Sequence, residues 1–344
     1  MIFYSDNAVM RQSAIYTGFI LFVFMFVQGC ALYKGDRVSW DKFHVDEFPD
    51  FASVIVRPGD TLPSLAKRYL DDPDKSWVIA DFNDITAVTA GQEIIIPLEP
   101  FDMANLSPQG YQTVPVLSYH NFSETKQNLM MVKKRDFERQ MKFLKDNGYT
   151  VITLDDLFDF LEYRAPLPRK SVVITIDDGW QGVYDVAYPI LKKYNFPATL
   201  FVYTDLINGS RKTLDWDQVA ELDKNGIDIQ CHTISHRNLK KIKKNESFQE
   251  YVKEIEGEIS ESARVIKKKI NKDVKYLAYP YGDTNNLVIA FLKKNGFRGA
   301  FTVKRDSNPF FMNHFTLNRR MIYGDFDLRD FKKNLKNYSN KALH

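Results

Sequence analysis

The spacing of apolar positions changes character several times along the chain, and each change marks an element. From Phe51 the alternation Val54-Ile55-Val56 gives way to the turn Arg57-Pro58-Gly59-Asp60-Thr61. Leu62, Leu65, Ala66 and Tyr69 then recur at helical spacing, and a second helical stretch over Trp77 to Phe82 stops at Asn83-Asp84. Gln92 to Pro97 reads as a closing strand, so residues 51–98 predict a small strand–helix–helix–strand unit.

Beyond a Pro-containing connector the pattern becomes repetitive. Apolar runs predict strands at Val114–Leu117, Val151–Ile152, Val172–Ile176, Thr199–Val202, Ile227–Cys231, Tyr276–Tyr279 and Ala300–Val303. Three of the intervening helical stretches end in Asn-Gly, at Asn147-Gly148, Asn225-Gly226 and Asn295-Gly296, the usual chemistry of a helix C-terminus feeding a strand. Val252, Ile255, Ile259, Ala263, Ile266 and Ile270 form one stripe on the longest helix, which is core and not a cofactor box. Strands alternating with helices imply parallel β/α repeats, hence a doubly wound sheet or a barrel.

The N-terminus carries an export pattern. Arg11 precedes an apolar stretch from Ala14 to Val27 that ends in Gln28-Gly29-Cys30. The stretch falls short of the roughly 20 residues that a spanning helix needs, and suits a signal-peptide core. A small residue before cysteine resembles the bacterial lipoprotein cleavage box. That resemblance implies lipidation of Cys30 after removal of residues 1–29, a tether over 30–50, and a membrane-anchored lipoprotein of the cell envelope. A plain secretory signal and an uncleaved anchor are the alternatives, and all three export the protein.

Composition adds boundaries. The chain has 344 residues, 44% apolar and 26% charged, with a formal net charge of +3. That balance suits globular domains and argues against nucleic acid as a partner. Lysine clusters at 240–241, 243–244 and 267–269 read as solvated helix faces, or as attraction to an acidic glycan or envelope surface. Two cysteines give no disulfide framework, and Cys231 alternates with Ile227 and Ile229 as a buried strand residue.

Candidate chemistry sits where strands end. Asp177-Asp178, His232, Tyr119-His120 and Pro280-Tyr281-Gly282 all follow on strand patterns, and in a β/α barrel functional residues gather at that rim. One carboxylate and two imidazoles suffice to hold a divalent ion with a position left open. If His232 and His236 begin a helical turn, they share a face with Asp178 as third ligand, and Asp177 is free to act as a base. Two His and one Asp suit Zn²⁺, and also Co²⁺, Ni²⁺ or Fe²⁺.

Thr175-Ile176-Asp177-Asp178 and His232 to His236 resemble the first two motifs of the polysaccharide deacetylase family, the NodB-homology domains of carbohydrate esterase family four. The resemblance runs from about Val114 to near the C-terminus. It implies a distorted (β/α) barrel in which Asp177 is the base and Asp178, His232 and His236 hold the metal, removing N-acetyl groups from an N-acetylglucosamine polysaccharide. Tyr119-His120 and Leu214-Asp215-Trp216-Asp217 are similar to the subgroup acting on poly-N-acetylglucosamine exopolysaccharides; peptidoglycan is the other candidate substrate.

Two positions depart from the family. Ala278 stands where an arginine often partners the base, leaving Arg319 or Arg320 as replacements. Leu317-Asn318-Arg319 stands where a histidine acid is usual, so His120 is the first candidate acid and His314 the second. Trp216, Pro280, Tyr281, Gly282 and Arg319 are candidate sugar contacts. The departures also leave open a catalytically impaired glycan-binding lipoprotein.

Residues 51–98, with Val56 to Leu62 and Ala90 to Pro97 as opening and closing motifs, resemble the LysM module. That resemblance implies a glycan groove at Gly59, Asp60, Thr61, Leu62 and Ile85. A spacer role is the alternative. The expected order is therefore signal 1–29, tether 30–50, LysM module 51–98, linker 99–113 and deacetylase domain 114–344.

Overall fold

The computed structural model describes residues 46–47, 51–98, 104–106 and 109–341. Cys30, the signal segment, most of the tether, and residues 99–103 and 107–108 of the linker lie outside the described residues. The chain divides into two compact units at Leu98/Glu99.

In the first unit, Phe51–Ile55 pairs antiparallel with Glu93–Pro97, and Val54 stands opposite Ile94. Alternation puts Ala52 and Val54 inward, where they meet Leu65, Ala66, Ile79 and Ile96 in one small core. Helix Leu62–Leu70 starts at a capping box: the Thr61 hydroxyl accepts from the Ser64 N–H (3.2 Å) and Ser64 Oγ from the Thr61 N–H (2.8 Å). The second helix, Ser76–Asn83, is tied to the closing strand by the Asn83 amide, which donates to the Ile95 carbonyl (2.6 Å) and accepts the Ile95 N–H (2.9 Å).

The second unit is built on eight strands: β1 Val116–Tyr119, β2 Thr150–Val151, β3 Ser171–Asp178, β4 Ala198–Val202, β5 Ile227–Cys231, β6 Tyr276–Ala278, β7 Gly299–Phe301 and β8 Arg320–Met321. Their order is β7-β6-β5-β4-β3-β1-β8, with β2 beside the start of β3, and every pairing is parallel. Leu317 bridges to Phe301 of β7, while Arg320 and Met321 pair with Leu117 and Ser118 of β1. One short segment thus joins both ends of the sheet and draws it into a barrel.

All eight residues of β3 are buried, as expected for a parallel sheet covered on both faces. Ile174 and Ile176 pack outward against the helices; Val173 joins Phe201, Ala278, Phe301 and Leu317 in the other core, inside. Helix Leu154–Leu161 plugs the end where the strands begin: Phe158 lies 4.6 Å from the Tyr276 ring, and a Cβ at Gly299 would stand 2.2 Å from the Phe158 ring. The barrel therefore has one open end, where the strands finish.

At the three Asn-Gly pairs, the glycines take the left-handed conformation (φ 68°, 92° and 77°) just beyond helices Lys134–Asp146, Trp216–Lys224 and Asn286–Lys294. One boundary moves. The last residues of the expected linker belong to a buried strand, Tyr111–Val114, paired with Asn308–Pro309 and Tyr338–Ser339.

Candidate metal and catalytic site

Asp177 and Asp178 are neighbours in β3, so regular alternation would send their carboxylates to opposite faces. A φ of +81° at Asp178 breaks the alternation, and both side chains serve the open end. Such a backbone costs an L-residue of order 1–3 kcal/mol and persists only where the surroundings impose it. Here the Asp178 carbonyl accepts the Tyr203 N–H (3.3 Å) at the end of β4, and the Trp180 indole N–H donates to Asp178 Oδ2 (2.8 Å).

His232 and His236 reach the same place without a helix. Residues 232–236 form a loop in which Thr233 (φ 74°) and His236 (φ 61°) are left-handed, so the expected helical turn is replaced by a strained one. Its partner is Glu258 on helix Phe248–Ile270. The Glu258 carboxylate accepts the N–H groups of Ile234 (2.9 Å) and Ser235 (3.0 Å) and the Ser235 hydroxyl, and Thr233 Oγ1 accepts the His236 N–H (3.2 Å). His236 packs between the rings of Tyr203 and Tyr281, at 5.2 and 4.9 Å.

The donor set fits a divalent cation. His232 Nδ1 lies 2.7 Å from the Ala278 carbonyl oxygen, which can only accept, so Nδ1 carries the hydrogen and Nε2 keeps its lone pair. That Nε2 and the Nε2 of His236 each stand 3.7 Å from Asp178 Oδ1. The ligand atoms all lie within 4.8 Å of one another, close enough to meet one ion. Burial lowers the pKa of His232 even against the raising effect of Asp177 and Asp178, which keeps the ring neutral, as a ligand must be.

Asp177 is the second half of the site. It is buried, and Arg319 grips it with two parallel bonds, Nη1 to Oδ1 at 2.6 Å and Nη2 to Oδ2 at 2.8 Å. Burial by itself would raise the Asp177 pKa, but the charge of Arg319 and its two hydrogen bonds bring it down to about 2. Asp177 is therefore ionised at neutral pH. Arg319 is completely buried and spent on this pair, which removes it from the sugar contacts and makes it the partner that Ala278 does not provide. Arg320 points elsewhere, 3.5 Å from Asp306.

A cavity of about 780 Å³ opens over these groups. His120 lines it, as do Tyr281, Trp180, Phe122, Met130, Met131 and Met321. His314 does not: its ring packs edge-on to Phe158 (5.5 Å), at the plugged end. Trp216 is also a correction, since this first residue of its helix packs against the outer core, with Lys269 over its ring, and does not line the cavity. In the Pro280–Gly282 turn, Pro280 is buried, and Gly282 (φ 73°) has Val303 N only 2.6 Å from where a Cβ would stand; both shape the turn, and Tyr281 alone faces the cavity. Trp180 and Glu258 were missed. Trp180 had a signal, an aromatic residue two positions after a ligand.

In the first unit, the candidate groove residues have local tasks. Gly59 (φ 89°) allows the turn, Asp60 is bound by Arg68 (2.7 Å) and the Arg57 N–H (2.9 Å), Thr61 caps the helix, and Leu62 and Ile85 pack on the core.

A barrel open at its strand ends, with a His₂Asp cluster that could hold a divalent ion beside a clamped carboxylate, is an architecture suited to hydrolysis. The profile for Polysaccharide deacetylase matches residues 164–300. A poly-beta-1,6-N-acetyl-D-glucosamine N-deacetylase of Staphylococcus epidermidis is 30% identical over 199 residues, covering 56% of this chain and 68% of that protein. A putative polysaccharide deacetylase of Bacillus subtilis is 31% identical over 191 residues; the match spans 56% of this chain and 64% of that protein's length. Among solved structures, the Streptococcus pyogenes deacetylase PplD in complex with acetate aligns with a TM-score of 0.59 and 26% identity, over 65% of this chain and 98% of that one. The chain belongs to the polysaccharide deacetylase family of hydrolases.

Proposed function

We propose that this protein removes N-acetyl groups from an N-acetylglucosamine-containing polysaccharide of the cell envelope in a metal-dependent hydrolysis. The observation that carries the reading is the convergence of Asp178, His232 and His236 beside an Asp177 held ionised by Arg319. When bound there, a divalent ion supplies Lewis-acid polarisation and eases deprotonation of water near neutral pH. Asp177 accepts the proton of the attacking water, oriented by the Arg319 fork. Water adds to the acetamide carbon, the C–N bond breaks, and acetate and a sugar amine leave. His120, on the same cavity wall, donates the proton that the amine needs. Tyr281 and Trp180 offer ring faces against which a sugar can lie.

The name of the Staphylococcus epidermidis protein supports a deacetylase acting on such a glycan, and that of the Streptococcus pyogenes protein supports a deacetylase. Residues 51–98 serve in this reading as a LysM module holding the enzyme at its polymer, behind a signal segment and a lipid anchor on Cys30. Among the described residues no helix is long and apolar enough to cross a membrane. The Asp177–Arg319 pair removes one of the two reasons for an impaired site.

Acetate release from N-acetylglucosamine oligomers, measured with the full chain before and after chelation, tests the reading. Loss of turnover on chelation and its return with Zn²⁺ or Co²⁺ is the expected outcome; turnover indifferent to chelator contradicts it.

A further inference from the structure

The cavity wall carries three bases that the chemistry above does not use. Lys126 comes from the loop after His120, and Arg211 and Lys212 from the segment preceding helix Trp216–Lys224; all three are exposed. None forms an ion pair among the described residues. The Arg211-Lys212 tip is fixed in place: the Lys212 carbonyl accepts the Gln181 N–H (2.9 Å), its own N–H donates to Ser210 Oγ (3.1 Å), and the next residue, Thr213, bridges to Trp180.

The only carboxylates lining this cavity are Asp177 and Asp178, and both are committed, one to Arg319 and one to the ligand cluster. Glu124, the acid nearest Lys126 in sequence, is taken by Lys134 at 2.8 Å. The mouth therefore carries unpaired positive charge from two segments of the chain. A neutral acetylated glycan gains nothing from that field, and a glycan already bearing free amines is repelled by it. We propose, resting on the deacetylase reading, that the substrate glycan carries anionic groups, carboxylate or phosphate, within a sugar or two of the acetamido group, received by Lys126, Arg211 and Lys212. A guanidinium and two ammonium groups suit either anion.

The test uses the full chain and three oligomer series of equal length: neutral N-acetylglucosamine, the same backbone bearing lactyl ether carboxylates, and one bearing phosphates. Acetate release gives kcat/KM for each, and calorimetric binding gives an affinity that does not depend on turnover. The expected result is a preference of about tenfold for an anionic series, shrinking in about 0.5 M salt as exposed charges are screened. The stronger of the two anionic series identifies the group. Combining Lys126→Gln, Arg211→Gln and Lys212→Gln collapses the preference. Equal binding of neutral and anionic oligomers, or a preference that survives the triple substitution, overturns the proposal. If no series releases acetate while the anionic preference in binding persists, the deacetylase reading fails and the anionic mouth stands.

Discussion

The two ends of the barrel use the same strands for opposite purposes. At the end where strands begin, Phe158 packs at a tilt on Tyr276 and edges Phe301, and Arg298 is satisfied by Asp159 (2.7 Å), Glu162 (2.9 Å) and the Tyr276 hydroxyl (3.1 Å). At the end where they finish, Asp178, Thr233, His236 and Tyr281 all sit at positive φ, and a buried carboxylate survives on one arginine. One end supplies apolar burial; the other holds strained backbone and concentrated charge. Groups arranged for chemistry need stability from elsewhere, and here it comes from the plug.

Substitutions at each end sharpen that contrast. Arg319→Leu leaves Asp177 buried and unpaired, and denaturant unfolding should show a loss of ~3–5 kcal/mol together with loss of turnover. Adding Asp177→Asn to it should recover much of the stability and none of the activity. Phe158→Ala, at the plugged end, should cost ~3–5 kcal/mol through lost burial and a cavity, while kcat of the folded fraction stays close to that of the parent chain. Equal damage to kcat from both would erase the distinction between the ends. Glu258→Gln weakens the carboxylate that fastens the histidine loop, and titration with Zn²⁺ should show affinity lower by about 10–100-fold with little change in the unfolding midpoint of the metal-free chain. Trp216→Ala should shift KM by less than about twofold, since the ring faces the outer core.

The strand positions were easier to read from sequence than the backbone of the open end. Apolar runs separated by helices ending in Asn-Gly mark β1 to β7 to within a few residues, because burial on both faces leaves a strong signal. The closing segment gives almost none: β8 has two residues, and its pairing depends on Arg320 and Met321 meeting Leu117 and Ser118 from the other end of the domain. Asp177, Asp178, His232 and His236 were legible as residue types, but the backbone that aims them was not. A positive φ at Thr233 is unfavourable for a β-branched residue, so local preference points away from it. Glu258 sits between Ile255 and Ile259 on an ordinary amphipathic helix, and only the fold brings it beneath the loop.

The central claim is that one cluster binds the ion while its neighbour moves the proton. Asp177→Asn in the full chain separates the two most directly, by measuring bound metal and acetate release on the same sample. One equivalent of metal is expected, as in the parent chain, with kcat lower by about 10²–10⁴-fold. Turnover at the parent rate with the metal in place would contradict it.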